Sequence, residues 1–297
     1  MSSAPLISLN NGVELPALGL GVFQSPPAET VGAVEAAIAS GYRLLDTAAA
    51  YGNEREVGEG IRRASIDRND IFVTTKLWIS DYGYENALIG FDGCLRRLGL
   101  DYVDLFLLHH PVPSDFDGTV AAYTAIEQIL ADGRTRAIGV SNFSERHLEN
   151  LISRASVAPA VNQVELHPFF TQHALREFHT ANGIATQAWS PLGGVNRYRP
   201  ADPNAVQNPL EHPTIVELAT SHGKTPAQVV LRWHLEHGIS AIPKSVKPHR
   251  IAENVDVFDF ALTPEEITAI DALDTGIRGG PDPELINTEL YPFKVEN

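Results

Sequence analysis

Asp46 and Tyr51 lie five positions apart in "LLDTAAAYGNE" (44–54), where an apolar run gives way to small and polar residues. Two further apolar runs end the same way: "IFVTTK" (71–76) closes on Lys76 and "VDLFLLH" (103–109) on His109. If the four groups met, the carboxylate of Asp46 could hold the ammonium of Lys76, which in turn favours ionisation of Tyr51. A phenol ionises near pH 10, and a neighbouring cation moves it toward neutrality. Tyr51 could then protonate a developing alkoxide while His109 orients a carbonyl oxygen. Plainer roles compete at each position. A strand-end Asp caps turns, a loop Tyr packs, a strand-end His satisfies a core, and a buried Lys76 could form Schiff bases.

Whether the four converge depends on the elements that carry them. Apolar runs of strand length recur at "ALGLG" (17–21), "YRLLD" (42–46), 71–76, 103–109, "RAIGVS" (136–141), "AVNQVE" (160–165), "IATQAW" (184–189) and "ISAIPK" (239–244). Their branched and aromatic content suits strands buried on both faces. Amphipathic stretches separate them, among them 28–41 with a terminal glycine, 119–133, and 144–155 opening on Ser144 as an N-cap. Eight strands alternating with helices predict an α/β fold, a (β/α)8 TIM barrel, with a doubly wound open sheet as the alternative. "LISLNNGVEL" reads as a β-hairpin turning at Asn11-Gly12, an N-terminal plug across the barrel bottom. No linker divides the chain, so residues 1–297 are expected to form one domain. The tail from about 275 either folds over the active site or stays loose, and the proline-rich 193–213 stretch is expected to be a functional loop.

Barrel chemistry gathers at the C-terminal ends of the strands. Those ends are Gly21, Asp46, Lys76, His109, Ser141 with Asn142, Gln163, Trp189 and Lys244. A polar or aromatic group on nearly every strand reads as a lined pocket.

The formal net charge of −15 speaks against a nucleic-acid surface. In that setting "PKSVKPHR" (243–250) is a local basic island. No apolar run is long enough to cross a membrane, and the N-terminus lacks the features of a secretion signal. The single cysteine, Cys94, and the absence of zinc-type spacing fit a reducing, cytoplasmic setting without a metal. "GLGVFQ" (19–24) lacks the third glycine of a dinucleotide fingerprint, and His234 and His237 are expected at exposed helix positions.

"GYRLLDTAAAYGNE", "TTKLW", "LDYVDLFLLHHP", "IGVSNF", "VNQVELHP", "WSPLG" and "IPKSVKPHRIAENVDVFDF" resemble, in order, the signatures of the aldo-keto reductases. Among subgroups the chain is most similar to bacterial 2,5-diketo-D-gluconate reductase-type enzymes. The resemblance implies a catalytic tetrad of Asp46, Tyr51, Lys76 and His109, with Tyr51 as general acid in reduction. It implies NADPH across the barrel top, with Ser141, Asn142 and Gln163 at the carboxamide and Trp189 stacked on the nicotinamide. Gly21, Val22, Ser190 and Leu192 belong to the same cofactor groove. Lys244, Ser245 and Arg250 would hold the 2′-phosphate, with Val246 also at the cofactor and Glu253 and Asn254 near the adenine.

The substrate pocket is implied at Phe23, Trp78 and His110, where relatives often carry tryptophan at positions 23 and 110. Losing two indoles predicts a roomier, more polar pocket for compact or hydroxylated carbonyls. The expected partner is a small carbonyl substrate, taken by a monomer. An NADPH-binding sensor with vestigial turnover and a Schiff-base lyase on Lys76 are the alternatives.

Overall fold

A computed structural model of the chain describes residues 4–193 and 208–296. It opens with two antiparallel strands, β1 (Leu6–Ser8) and β2 (Glu14–Pro16), with Ile7 opposite Leu15. The turn between them closes through Leu9 N donating to Val13 O at 2.9 Å, and Gly12 takes φ 81°. Glycine adopts that left-handed backbone without a Cβ penalty. The amides of Asn10 and Asn11 donate to the carbonyls of Pro159 and Arg136, which precede or begin later strands. Leu9 and Leu15 are buried among Leu44, Phe72, Leu105 and Val161. The hairpin therefore plugs the end of the barrel where the strands start.

Eight parallel strands follow: β3 (Leu20–Gly21), β4 (Leu44–Asp46), β5 (Phe72–Leu77), β6 (Val103–Leu108), β7 (Thr135–Ser141), β8 (Val161–Glu165), β9 (Ala185–Trp189) and β10 (Ser240–Ala241). They pair in chain order from β3 to β10. Gly19 N donates to Ala241 O and Ala241 N to Ala17 O, both at 2.9 Å, while Gly21 bridges Lys244. These bonds join first strand to last and close the (β/α)8 barrel. At this seam the ladder is only two residues long in each strand, shorter than the apolar runs 17–21 and 239–244, because isolated bridges do the rest. A Cβ on Gly21 would lie 2.8 Å from Ile242 O, so the seam itself needs glycine there.

Alternation along each strand sorts side chains between two environments. Leu44, Phe72, Leu105, Leu107, Ala137, Val161 and Ile242 form a cluster inside the barrel. Two residues further along, the same faces carry Asp46, Thr74, His109, Gly139 and Gln163, and β5 reaches Lys76. The inward rows thus change from apolar to polar toward the strands' C-terminal ends. Outward residues such as Leu45, Val73, Phe106 and Val140 pack under the helices.

Those helices start where the sequence permits. α1 (Pro27–Ala39) carries proline in its first turn, and Gly41 (φ 101°) lies just past its end. α2 (Glu54–Arg63) and α3 (Tyr84–Leu98) follow. α4 (Phe116–Ala131) begins three residues before the expected Thr119, because Asp115 caps Gly118 N. α5 (Glu145–Ile152) is capped by Ser144, as expected, with His147 returning the bond. α6 (His173–Ala181), α7 (Pro213–His222), α8 (Pro226–Glu236), α9 (Pro248–Val255) and α10 (Pro264–Asp271) complete the described helices. Most of the 193–213 loop, residues 194–207, lies outside the described residues.

The two histidines of the α8 region are not surface residues. His234 is fully buried and its Nε2 lies 3.0 Å from Pro191 O, while His237 is largely covered and meets Asp271 Oδ1 at 2.9 Å. Helical spacing explains the difference: Ala227, Val230, Leu231 and His234 share one buried face.

Candidate active site

The strand ends place Asp46 and Lys76 on adjacent β4 and β5, facing into the barrel. Lys76 Nζ lies 2.6 Å from Asp46 Oδ1 and also donates to Thr47 O at 3.0 Å and Tyr51 OH at 3.3 Å. Neither member of the ion pair is meaningfully exposed. Burial pushes each toward its neutral form, raising Asp46 and lowering Lys76, and their contact opposes this. Gln163 Nε2 donates to Asp46 Oδ2 at 2.7 Å, so both carboxylate oxygens are occupied. A carboxylate so bonded stays charged beside an ammonium.

Tyr51 is carried by a short 3-10 turn, Ala49–Tyr51, that follows β4. Small residues at 48–50 let this turn lie close over the strand ends. The phenol ring has Lys76 Nζ 4.9 Å from its centroid, Phe23 at 4.9 Å and His109 edge-on at 5.5 Å. The sequence-based expectation that Lys76 lowers the phenol's pKa is reversed in direction here. Burial, and then Asp46, hold Tyr51 well above its usual value. A desolvated phenol resists ionising next to a carboxylate, and the cation is already claimed by that carboxylate.

His109 follows β6 and is buried with its Nδ1 unpartnered. Burial, then His110 and Lys76, keep it well below the usual imidazole value, so it is neutral at pH 7. His110 stacks on it at 5.0 Å, with planes 2° apart, and is held down to about 3 chiefly by burial. Trp78 sits edge-on to both rings.

The other inward groups form a connected row beside this cluster. Ser141 Oγ donates to Gln163 O, Asn142 Nδ2 donates to His109 O at 3.0 Å, and Trp189 Nε1 donates to Asn142 Oδ1 at 2.8 Å. Asn142 reaches this position with φ 66°, a left-handed backbone that asparagine tolerates. Gln163 also donates to Gln187 Oε1, which leaves its own Oε1 unengaged among the described residues. Val22, buried, donates its N–H to Asp46 O and accepts from Asn53 at its carbonyl. Ser190 lies at φ 47°, and Pro191 and Leu192 follow it beneath the contact from His234.

Across the seam, Lys244, Lys247 and Arg250 are exposed around the start of α9, and Ser245 Oγ accepts from Lys247 N at 3.1 Å. Val246 and Glu253 are half-covered and Asn254 is buried, with Glu253 Oε1 accepting from Thr225. A cationic rim at a helix N-terminus suits a phosphate, and the unengaged Gln163 Oε1 near Asn142 suits an amide. This donor set fits a phosphorylated dinucleotide lying from the barrel centre to α9.

The end of the tail packs against Trp78. Phe293 stacks on Trp78 at 4.6 Å and Tyr291 meets it edge-on, while Trp78 Nε1 donates to Phe293 O. Two tail rings thus cover Trp78, whose other neighbours include His109 and His110. Three polar groups in this region escape the sequence reading. Glu54 is buried against β5, accepting from Thr75 Oγ1 and Arg97 Nε, both at 2.6 Å. Gln187 supports Gln163, and Glu165 binds the tail. Gln187 and Glu165 share the inward period of their strands, a signal the sequence does carry.

The chain matches the model of the aldo/keto reductase family over residues 17–275. It is 54% identical to morphine 6-dehydrogenase of Pseudomonas putida, over 97% of each chain. It is 45% identical to glyoxal reductase of Bacillus subtilis, covering 94% of this chain and 96% of that one. The solved structure of a Bombyx mori aldo-keto reductase in complex with NADP superposes with TM-score 0.86 at 33% identity, covering 99% of both chains. The chain belongs to the aldo/keto reductase family, oxidoreductases of carbonyl and alcohol groups.

Proposed function

We propose that this chain reduces aldehydes or ketones to alcohols with NADPH, with Tyr51 as the acid that protonates the carbonyl oxygen. The observation that carries this is the convergence of Asp46, Lys76, Tyr51 and His109 at one mouth of the barrel. When bound, the reduced nicotinamide supplies hydride to the carbonyl carbon.

The chain's own groups do the rest. Ser141, Asn142 and Gln163 hold the carboxamide, Trp189 covers the ring, and Gly21, Val22, Ser190 and Leu192 flank the groove. Lys244, Ser245 and Arg250 take the 2′-phosphate, with Val246 beside them and Glu253 and Asn254 at the adenine. Tyr51 stays a phenol at neutral pH because burial raises it, so the proton is in place when an alkoxide develops. Lys76 Nζ, 3.3 Å away, then stabilises the phenolate left behind, and Asp46 keeps that ammonium charged and aimed. Neutral His109 donates one ring N–H to the carbonyl oxygen without adding charge. These groups come from one chain, so the reaction needs no second copy.

Phe23, Trp78 and His110, joined by Tyr291 and Phe293, wall the substrate site. His110 Nδ1 is buried without a partner, which favours substrates with a hydroxyl or second carbonyl next to the reacting one. Glyoxal reductase among the relatives is consistent with a small dicarbonyl, and morphine 6-dehydrogenase with an alcohol on a polycyclic frame.

Loss of NADPH absorbance with a carbonyl panel tests the proposal, comparing wild type with Tyr51→Phe. Turnover should fall about 10²- to 10⁴-fold in the variant, the usual worth of a positioned acid, while NADPH still binds. NADPH binding without turnover of any carbonyl by wild type would favour the sensor reading. Borohydride trapping of a substrate on Lys76 would favour the lyase.

A further inference from the structure

Glu165 is the last residue of β8 and none of its side chain is exposed, yet the tetrad does not use it. Its carboxylate points into the barrel mouth and takes bonds from the C-terminal tail. Oε1 accepts from Gly279 N and Oε2 from Gly280 N, each at 2.8 Å, while His167 Nε2 lies 3.1 Å from Oε1. Arg278, 4.0 Å from Oε2, lays its guanidinium 4.9 Å from the Phe170 ring centroid. Burial works to raise the carboxyl, but His167 and the two tail amides hold it below the usual range. A buried charge of this kind is costly unless it is fully bonded, and here two of its three hydrogen bonds come from the tail, as does Arg278.

Gly280 also touches the site. A Cβ there would lie 2.5 Å from Trp189 Cη2 and 3.0 Å from Glu165 Oε2, so the tail backbone lies directly against the indole. The other edge of that indole is fixed by Asn142, which in turn donates to His109 O. A continuous line of contact therefore runs from Glu165 through Gly280, Trp189 and Asn142 to the backbone beside the tetrad.

We infer that Glu165 is a positioning residue: it latches the Gly279–Gly280 segment against Trp189 and so holds the C-terminal tail as a wall of the substrate site. The kinetic part of this inference rests on the proposed reductase activity, whereas the latch itself does not. A glutamine side chain at this position offers one acceptor oxygen and an NH2, so one of the two glycine N–H groups would face another donor.

The test compares wild type, Glu165→Gln and Gly280→Ala. Gly280→Ala leaves the barrel sequence intact and attacks the latch from the tail side, covering the case where Glu165→Gln folds poorly. Hydrogen exchange of the free protein is read over residues 276–296, and methylglyoxal reduction with NADPH is read as separate KM and kcat. Losing a bond to a buried charge should speed tail exchange about tenfold or more in both variants. KM for methylglyoxal should rise by about the same factor, with kcat changing by less than about threefold, as for lost ground-state positioning. Unchanged tail exchange in both variants would overturn the latch. Faster exchange with KM and kcat both unaltered would overturn the positioning role. Absence of turnover in wild type would count against the reductase reading alone, and the exchange result would still decide the latch.

Discussion

Lys76→Met removes one half of the buried pair at the centre of the site and leaves the other half charged. At 2.6 Å and an effective dielectric of about 20, the attraction between the two charges is about 6 kcal/mol before desolvation is subtracted. Loss of one partner of such a pair costs about 3–5 kcal/mol, because the survivor stays buried and uncompensated. Asp46 would retain only Gln163 Nε2 at 2.7 Å. For a chain of 297 residues, with an unfolding entropy of about 0.6 kcal/mol/K, the Tm should drop by about 5–8 °C. Asp46→Asn/Lys76→Met removes both charges while the introduced amide oxygen still accepts from Gln163, and should regain about 2–3 kcal/mol relative to the sum of the single changes. The assay is urea and thermal unfolding of all four members of the cycle. Stability rather than activity is the readout, since each change falls on a residue proposed to carry the chemistry. A coupling below about 0.5 kcal/mol would refute the account, since independent sites add within that margin.

Two other expectations are simpler. Lys244→Ala and Arg250→Ala should each raise the KM for NADPH about tenfold or more and leave NADH use nearly unchanged, since a charge-assisted phosphate contact is lost only with the phosphorylated cofactor; parallel initial-rate titrations with the two cofactors check this. Gly58→Ala should destabilise the fold by about 2–3 kcal/mol without altering KM, by overpacking. Its Cβ would lie 1.8 Å from Leu98 O where α2 crosses the end of α3, and urea midpoints measure the cost.

Much of this is legible in the residues. The period of the inward positions puts Asp46, Lys76, His109, Gln163 and Trp189 at one mouth once eight strands are counted. The quoted motifs then carry the family. What is not legible depends on three-dimensional burial. His234 lies on a helix face whose cover includes Pro191, distant in sequence, so its environment cannot be read from α8 alone. The direction of the shift at Tyr51 escapes for the same reason: charge neighbours can be guessed from strand ends, but the desolvation that dominates there cannot. The tail gives no periodic signal, because Gly279 and Gly280 act through their backbone amides and Phe293 through a single stack. The family match ends at residue 275, so the tail proposed to wall the substrate site lies outside it.

The seam between β3 and β10 has a further consequence for how the molecule is made. Ala17 and Gly19 pair with Ala241, more than two hundred residues later, so the cylinder cannot shut until that residue has been made. Until then both outer strands present open edges, a state prone to wrong pairing. The residues that close the seam, Gly21 and Lys244, are also those proposed to flank the cofactor. A nucleotide bound as proposed would bridge them as a staple over the last joint to form, and mass action would then stabilise the closed chain more as the cofactor supply rises.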